Sequence, residues 1–174
     1  MRPEADKKKI LDFITALGSR VNGAGTIFLT GGATALLFGW REMTVDIDLK
    51  PDPEPAGFFE AIAELKNELD VNLELASPDQ FIPELPGWRE RSLFIARAGR
   101  LDFYHYDFFA QALSKLERGH ERDWTDIAAM ADLGLIAKRR LLELFQAVAP
   151  ALIRYPTIDI PSFTRAVEKF CDES

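Results

Sequence analysis

The residues best suited to chemistry are two aspartates and a glycine pair. Thr30-Gly31-Gly32 is followed by thirteen residues (33 to 45) and then by Asp46-Ile47-Asp48-Leu49. On a β-strand successive side chains alternate, so residues i and i+2 share a face. Asp46 and Asp48 then stand side by side, while Val45, Ile47 and Leu49 are predicted to point into a core. Two neighbouring carboxylates repel each other, and a divalent cation relieves that cost. Oxygen-only ligands suit Mg²⁺, which takes one or two carboxylates plus substrate phosphates. Glycine lets the backbone approach a ligand closely. A helix starting at Ala33 would also aim N–H groups at an anion. The pattern is that of a site for a metal-bound triphosphate, with Asp46 and Asp48 as metal ligands. Arg41, in the loop between glycines and aspartates, is a candidate phosphate contact.

Each half of the pattern has a bland reading when taken singly. Acids often lie on a solvated strand face, and a glycine pair between strand and helix is usually a turn. The two together, with apolar residues flanking each aspartate, point to function. Rival motifs fail. Gly23-x-Gly25 precedes a strand and does not follow one, so it is no dinucleotide fingerprint. A calcium loop starting at Asp46 would place Lys50 and Pro51 where an acid or amide and a glycine are needed. Cys171 is the single cysteine, which excludes an internal disulfide and a cysteine-based zinc site. His105 and His120 are too few for a histidine-rich metal site, and His105, between Tyr104 and Tyr106, reads as a packed strand residue. Lys138-Arg139-Arg140 reads as a solvated helix face.

Several elements must position these residues. Ile10, Phe13, Ile14 and Leu17 recur at helical spacing, with Gly18 as a stop. Thr26–Thr30 is a β-rich run ended by the glycines, 33–38 is a short apolar helix closed by Gly39, and 45–49 is a second strand cut off by Pro51, Pro53 and Pro55. An amphipathic helix over 58–69 precedes an alternating strand over 71–75. Residues 77–90, rich in proline, are predicted as a loop. Two strands, 92–98 and 100–106, form a hairpin around Gly99. Beyond Asp107, a predicted cap, the pattern is helical: 107–117, a helix near Asp123 with Trp124, Ile127, Ala128 and Ala131 on one face, then 138–148 and 162–170. Phenylalanines 58, 59, 103, 108 and 109 are assigned to the core. The fold class is α+β (α/β), a mixed sheet flanked by helices. Residues 1–106 would form the sheet core with the N-terminal helix, and 107–174 a helical part of the same domain.

Composition narrows the function classes. The chain has 174 residues, of which 47% are hydrophobic and 28% charged, as in an ordinary globular domain. Its net charge of −7 argues against a protein that coats nucleic acid by neutralising phosphates. No apolar run approaches the roughly 20 residues that span a bilayer, and the N-terminal residues lack a secretory pattern. The expectation is a cytoplasmic protein with no membrane partner.

Thr30-Gly31-Gly32 with Asp46-Ile47-Asp48-Leu49 resembles the signature of the DNA polymerase β-like nucleotidyltransferases. A second block, Lys115-Leu116, Arg118 and Arg122-Asp123-x-x-Asp126-Ile127, is similar to one in the AbiEii/MenT-like bacterial nucleotidyltransferases, many of them toxins, and in their uncharacterised relatives. The resemblance covers roughly residues 26 to 135. It implies a minimal nucleotidyltransferase fold and Mg²⁺-dependent transfer of a nucleoside monophosphate from an NTP. The acceptor would be tRNA or protein, and the partner an antitoxin. Alternatives are a catalytically inactive binding or antitoxin module and a small-molecule, antibiotic-type transferase. The resemblance also implies that Gly31 and Gly32 border the triphosphate. A third carboxylate is expected on a later strand, with Asp102 the candidate and Glu74 in reserve. Lys115 would contact phosphate, and Asp123 or, preferably, Asp126 would stand by the acceptor, with all three counterparts near the active site. The bland reading of this second block is a solvated helix pair, Lys115 lying beside the stripe of Phe109, Ala112, Leu113 and Leu116.

Overall fold

The computed structural model describes residues 3–173. The chain is α+β, 54% helical, with a five-stranded mixed sheet that does not close into a barrel. It forms two compact units. The first runs to Ser77 and includes Leu93–Tyr106; the second comprises Pro78–Ser92 and the chain from Asp107 onward. Among the described residues no helix is long and apolar enough to cross a membrane.

In the first unit, α1 (Lys7–Arg20) leads into β1 (Gly25–Thr30), α2 (Gly32–Phe38), β2 (Asp46–Pro51), α3 (Phe58–Glu68) and β3 (Asn72–Leu75). The hairpin of β4 (Leu93–Ala98) and β5 (Leu101–His105) completes it. Strand order is β3-β2-β1-β5-β4. β1 pairs antiparallel with β2 and parallel with β5, β2 pairs parallel with β3, and β4 is antiparallel to β5. Asp6 caps α1 by accepting from the Lys9 N–H at 2.9 Å. Phe13 and Leu17 of that helix, Ile27 and Leu29 of β1, Ile47 and Leu49 of β2 and Leu65 of α3 are buried together on one sheet face.

Three expectations change here. Gly18 does not stop α1, which continues to Arg20. A β-carbon at Gly18 would collide with Ala98, so this glycine serves close helix-to-strand approach. Val45 is 37% exposed. Thr44 is held in a bridge to Ala5, and β2 starts only at Asp46, so the strand alternation does not reach back to Val45. Phe59 is likewise exposed, while Phe58 takes the core position of α3.

The second unit holds a 3₁₀ turn (Pro78–Gln80), α4 (Trp88–Arg91), α5 (Phe108–Arg118), α6 (Glu121–Asp132), α7 (Lys138–Val148), a 3₁₀ segment (Ala149–Arg154) and α8 (Ile160–Asp172). Residues 77–90 were expected as a loop within the sheet core of 1–106, whereas Pro78–Ser92 belongs with these helices. The Arg91 guanidinium donates twice to Asp107 Oδ2, at 3.1 and 2.7 Å, and the Asp107 N–H donates to Ser92 Oγ at 3.0 Å. Asp107 also caps α5 through the Phe109 N–H. Burial pushes its carboxyl above the ordinary range, against the pull of Arg91. The buried stripe of α6 is Asp123, Asp126, Ile127 and Met130, and Ala128 is exposed, so this face differs from the expected one.

His105 is packed as the sequence suggested. It pairs with Leu29 in register, lies on the same core-facing side, and has Thr34 Oγ1 3.0 Å from its Nδ1 and the Phe38 ring 4.7 Å away. Burial lowers its pKa to about 4. A folded value below the unfolded one stabilises the fold above pH ~6.5 and loses that contribution as pH falls toward about 4. The loss amounts to about 3 kcal/mol at about 1.4 kcal/mol per pH unit. Urea unfolding at pH 7 and 4.5 should therefore show a larger acid loss in the wild type than in His105→Gln. Equal losses in the two proteins would contradict this account of His105.

Candidate functional site

The register of β1 and β2 sets the site. Leu29 pairs with Leu49 and Thr30 with Asp48, so Asp48 lies directly across from the last residue of β1. Asp46 and Asp48 are half-buried, while Ile47 and Leu49 are fully buried, so both carboxylates share the face opposite the helical core. Gly31 follows at once, with φ 65° and ψ −132°, a conformation that only glycine adopts readily. A β-carbon there would stand 2.8 Å from Asp48 Oδ2. Asp48 thus rests on bare backbone. Gly32 is constrained as well: a β-carbon would strike Thr44, whose Oγ1 donates to the Asp46 carbonyl at 3.1 Å. Neither the sequence spacing nor composition singles out Thr44, yet it ties the glycine turn to the start of β2. Helix α2 begins at Gly32 and has seven residues, too short for its dipole to be counted as an anion site. Arg41 is half-buried in the loop that returns to β2.

On the other side of β2, the parallel register places Asn72 beside Asp46 and Glu74 beside Asp48. Asn72 Nδ2 donates to Asp46 Oδ1 and approaches Glu74 Oε1 at 3.5 Å. Both are half-buried on the Asp46–Asp48 face.

Asp102 is placed differently from the expectation. It pairs with Thr26, four residues before the Thr30 that faces Asp48, which is about 13 Å along the sheet at about 3.3 Å per residue. Arg97 Nε and Nη2 hold its two oxygens at 2.7 and 3.0 Å and keep its carboxyl below the ordinary range. The cause is legible in the hairpin: Ala98 pairs with Leu101 around Gly99-Arg100, so Arg97 and Asp102 are direct cross-strand partners. Glu74 is the carboxylate the structure brings next to Asp48. Among the described residues, no group of three or more His, Cys, Asp or Glu side chains is arranged to hold a metal. Asp46 and Asp48 supply two hard oxygen donors on a rigid strand. That fits Mg²⁺ carried by phosphates, which takes most of its ligands from nucleotide and water.

Lys115, Asp123 and Asp126 come together in the second unit, and they are not solvated. Their exposures are 8%, 1% and 2%. Lys115 Nζ lies 3.0 Å from Asp126 Oδ2 and 3.5 Å from Asp123 Oδ1, and Arg118 grips Asp123 through Nε at 2.6 Å and Nη2 at 2.7 Å. Burial alone would raise the Asp123 pKa. The Arg118 hydrogen bond and the Lys115 charge outweigh it and hold the carboxyl below its usual range. Two cations and two anions thus balance within one helix pair. Arg122, within the same block, is exposed.

Comparison with protein-family models, curated proteins and solved structures gives no match in any of the three.

The buried network makes a stability prediction. Lys115→Met removes the cation 3.0 Å from a buried carboxylate, and breaking one side of a buried pair costs about 3–5 kcal/mol. Lys115→Met/Asp126→Leu should recover most of that loss in urea unfolding. A cost below about 1 kcal/mol for the single variant would show that the network contributes little.

Proposed function

We propose that the protein is a Mg²⁺-dependent nucleotidyltransferase that moves a nucleoside monophosphate from an NTP to an acceptor hydroxyl. The observation that carries this reading is the placement of the Asp48 carboxylate beside Gly31, 2.8 Å from where a β-carbon would stand, with Asp46 on the same face. The resemblance of both sequence blocks supports it. In this reading Asp46 and Asp48 hold the metal, and Gly31 and Gly32 border the triphosphate, with Arg41 as a phosphate contact. Bound there, Mg²⁺ supplies charge neutralisation and alignment of the attacking and leaving oxygens. The acceptor hydroxyl gives up its proton to solvent as its oxygen bonds to the α-phosphorus, the bond from that phosphorus to the oxygen bridging the β-phosphate breaks, and pyrophosphate leaves. Lys115, Asp123 and Asp126 owe their place in the reading to the resemblance; their own geometry supplies a rigid, charge-balanced cluster. tRNA or protein is the proposed acceptor, and a role as the toxin of a toxin–antitoxin pair follows the resemblance.

The Arg97–Asp102 pair favours a second reading. With the expected third carboxylate engaged elsewhere, the chain would bind nucleotide without transferring it. Incubation with each α-³²P-labelled NTP, Mg²⁺ and a cell lysate separates the readings. We expect label in tRNA or protein, reduced roughly 100-fold or more in Asp46→Asn and Asp48→Asn. The unfolding midpoint of Asp48→Asn should be unchanged or raised, because one of two repelling charges is gone. Label in a small molecule would identify an antibiotic-type enzyme. Retained nucleotide binding with no labelled product would identify the binding module.

A further inference from the structure

We infer that Asn72 is a positioning residue for Asp46, an inference that rests on the metal-binding reading above. Asn72 is the direct register partner of Asp46 on the parallel strand β3, two residues before Glu74. Its amide lies between two carboxylates, donating to Asp46 Oδ1 and standing 3.5 Å from Glu74 Oε1. A carboxylate only accepts, so it is the NH₂ end of the amide, with its two protons, that must face them. The consequence for Asp46 is orientation. One oxygen is held toward β3 by a partner on a fixed strand, which sets the plane of the carboxylate and the direction of the other oxygen. The neutral donor also separates Asp46 from Glu74 without adding charge. An apolar residue at 72 would remove this hold on the Asp46 carboxylate, and an acid there would add a fourth negative charge to this face. Groups that orient a metal ligand in this way typically cost about 10–100-fold in metal affinity when removed.

The test uses the full chain and the Mn²⁺ complex of a non-hydrolysable NTP analogue as the probe, with the enhancement of water-proton relaxation reporting uptake. Asn72→Leu keeps the approximate shape and removes the donor, Asn72→Ala removes donor and bulk, and Asn72→Gln retains a donor. We expect about 10–100-fold weaker binding of the Mn²⁺ complex in the Leu and Ala variants, partial recovery in Asn72→Gln, and urea midpoints close to wild type. Wild-type binding in Asn72→Leu, alongside lost binding in Asp46→Asn, would overturn the role of Asn72 and leave the metal site standing. Equal losses in Asn72→Leu and Asn72→Gln would overturn it too, since the donor would then be irrelevant. No uptake of the complex by the wild type, or uptake indifferent to Asp46→Asn and Asp48→Asn, would overturn the metal reading and this inference together.

Discussion

The antiparallel pairing of β1 with β2 is the constraint on which the first unit depends. With Thr30 opposite Asp48, the chain must leave β1, turn through Gly31 and start α2 while a carboxylate rests against the turn. The φ of 65° and ψ of −132° at Gly31 are what demand glycine there. The same register fixes everything downstream. Alternation puts Asp46 on the Asp48 face and Ile47 and Leu49 in the core, and the parallel addition of β3 brings Asn72 and Glu74 to the same face. A slip of one residue would bury both aspartates and expose two core side chains, so the hydrophobic pattern itself guards the site.

The two units place their carboxylates at different depths. In the helical unit, Asp123 and Asp126 are nearly inaccessible and sit within reach of Lys115 and Arg118, so charge is neutralised inside the fold. Asp107 is treated likewise by Arg91. On the sheet face, Asp46 receives a neutral amide, and Asp46, Asp48 and Glu74 remain half-buried on one side of two adjacent strands.

Much of this was legible in the sequence because it is local. The β1–glycine–α2 run, the alternation of β2, the Asp107 cap and the bounds of α7 follow from short-range pattern and turn chemistry. What escaped was what needs long-range register or burial of charge. Asn72 lies in a cleanly alternating strand, and nothing near it announces Asp46, twenty-six residues earlier, as its partner. Lys115 looks like a residue at the edge of an apolar stripe until partners eight and eleven residues later bury it. Asp102 has apolar neighbours, as a site carboxylate would, but its partner Arg97 was visible across the two-residue turn. Val45 fell outside the alternation because Thr44 is pinned to Ala5, a pairing of the chain start that no local rule contains.

The most direct test of the central claim is a crystal structure of the chain with Mg²⁺ and a non-hydrolysable NTP analogue. The account predicts a metal about 2.0–2.1 Å from oxygens of both Asp46 and Asp48, with the triphosphate running along Gly31 and Gly32. A nucleotide bound away from β2, or a metal that touches neither aspartate, would contradict it.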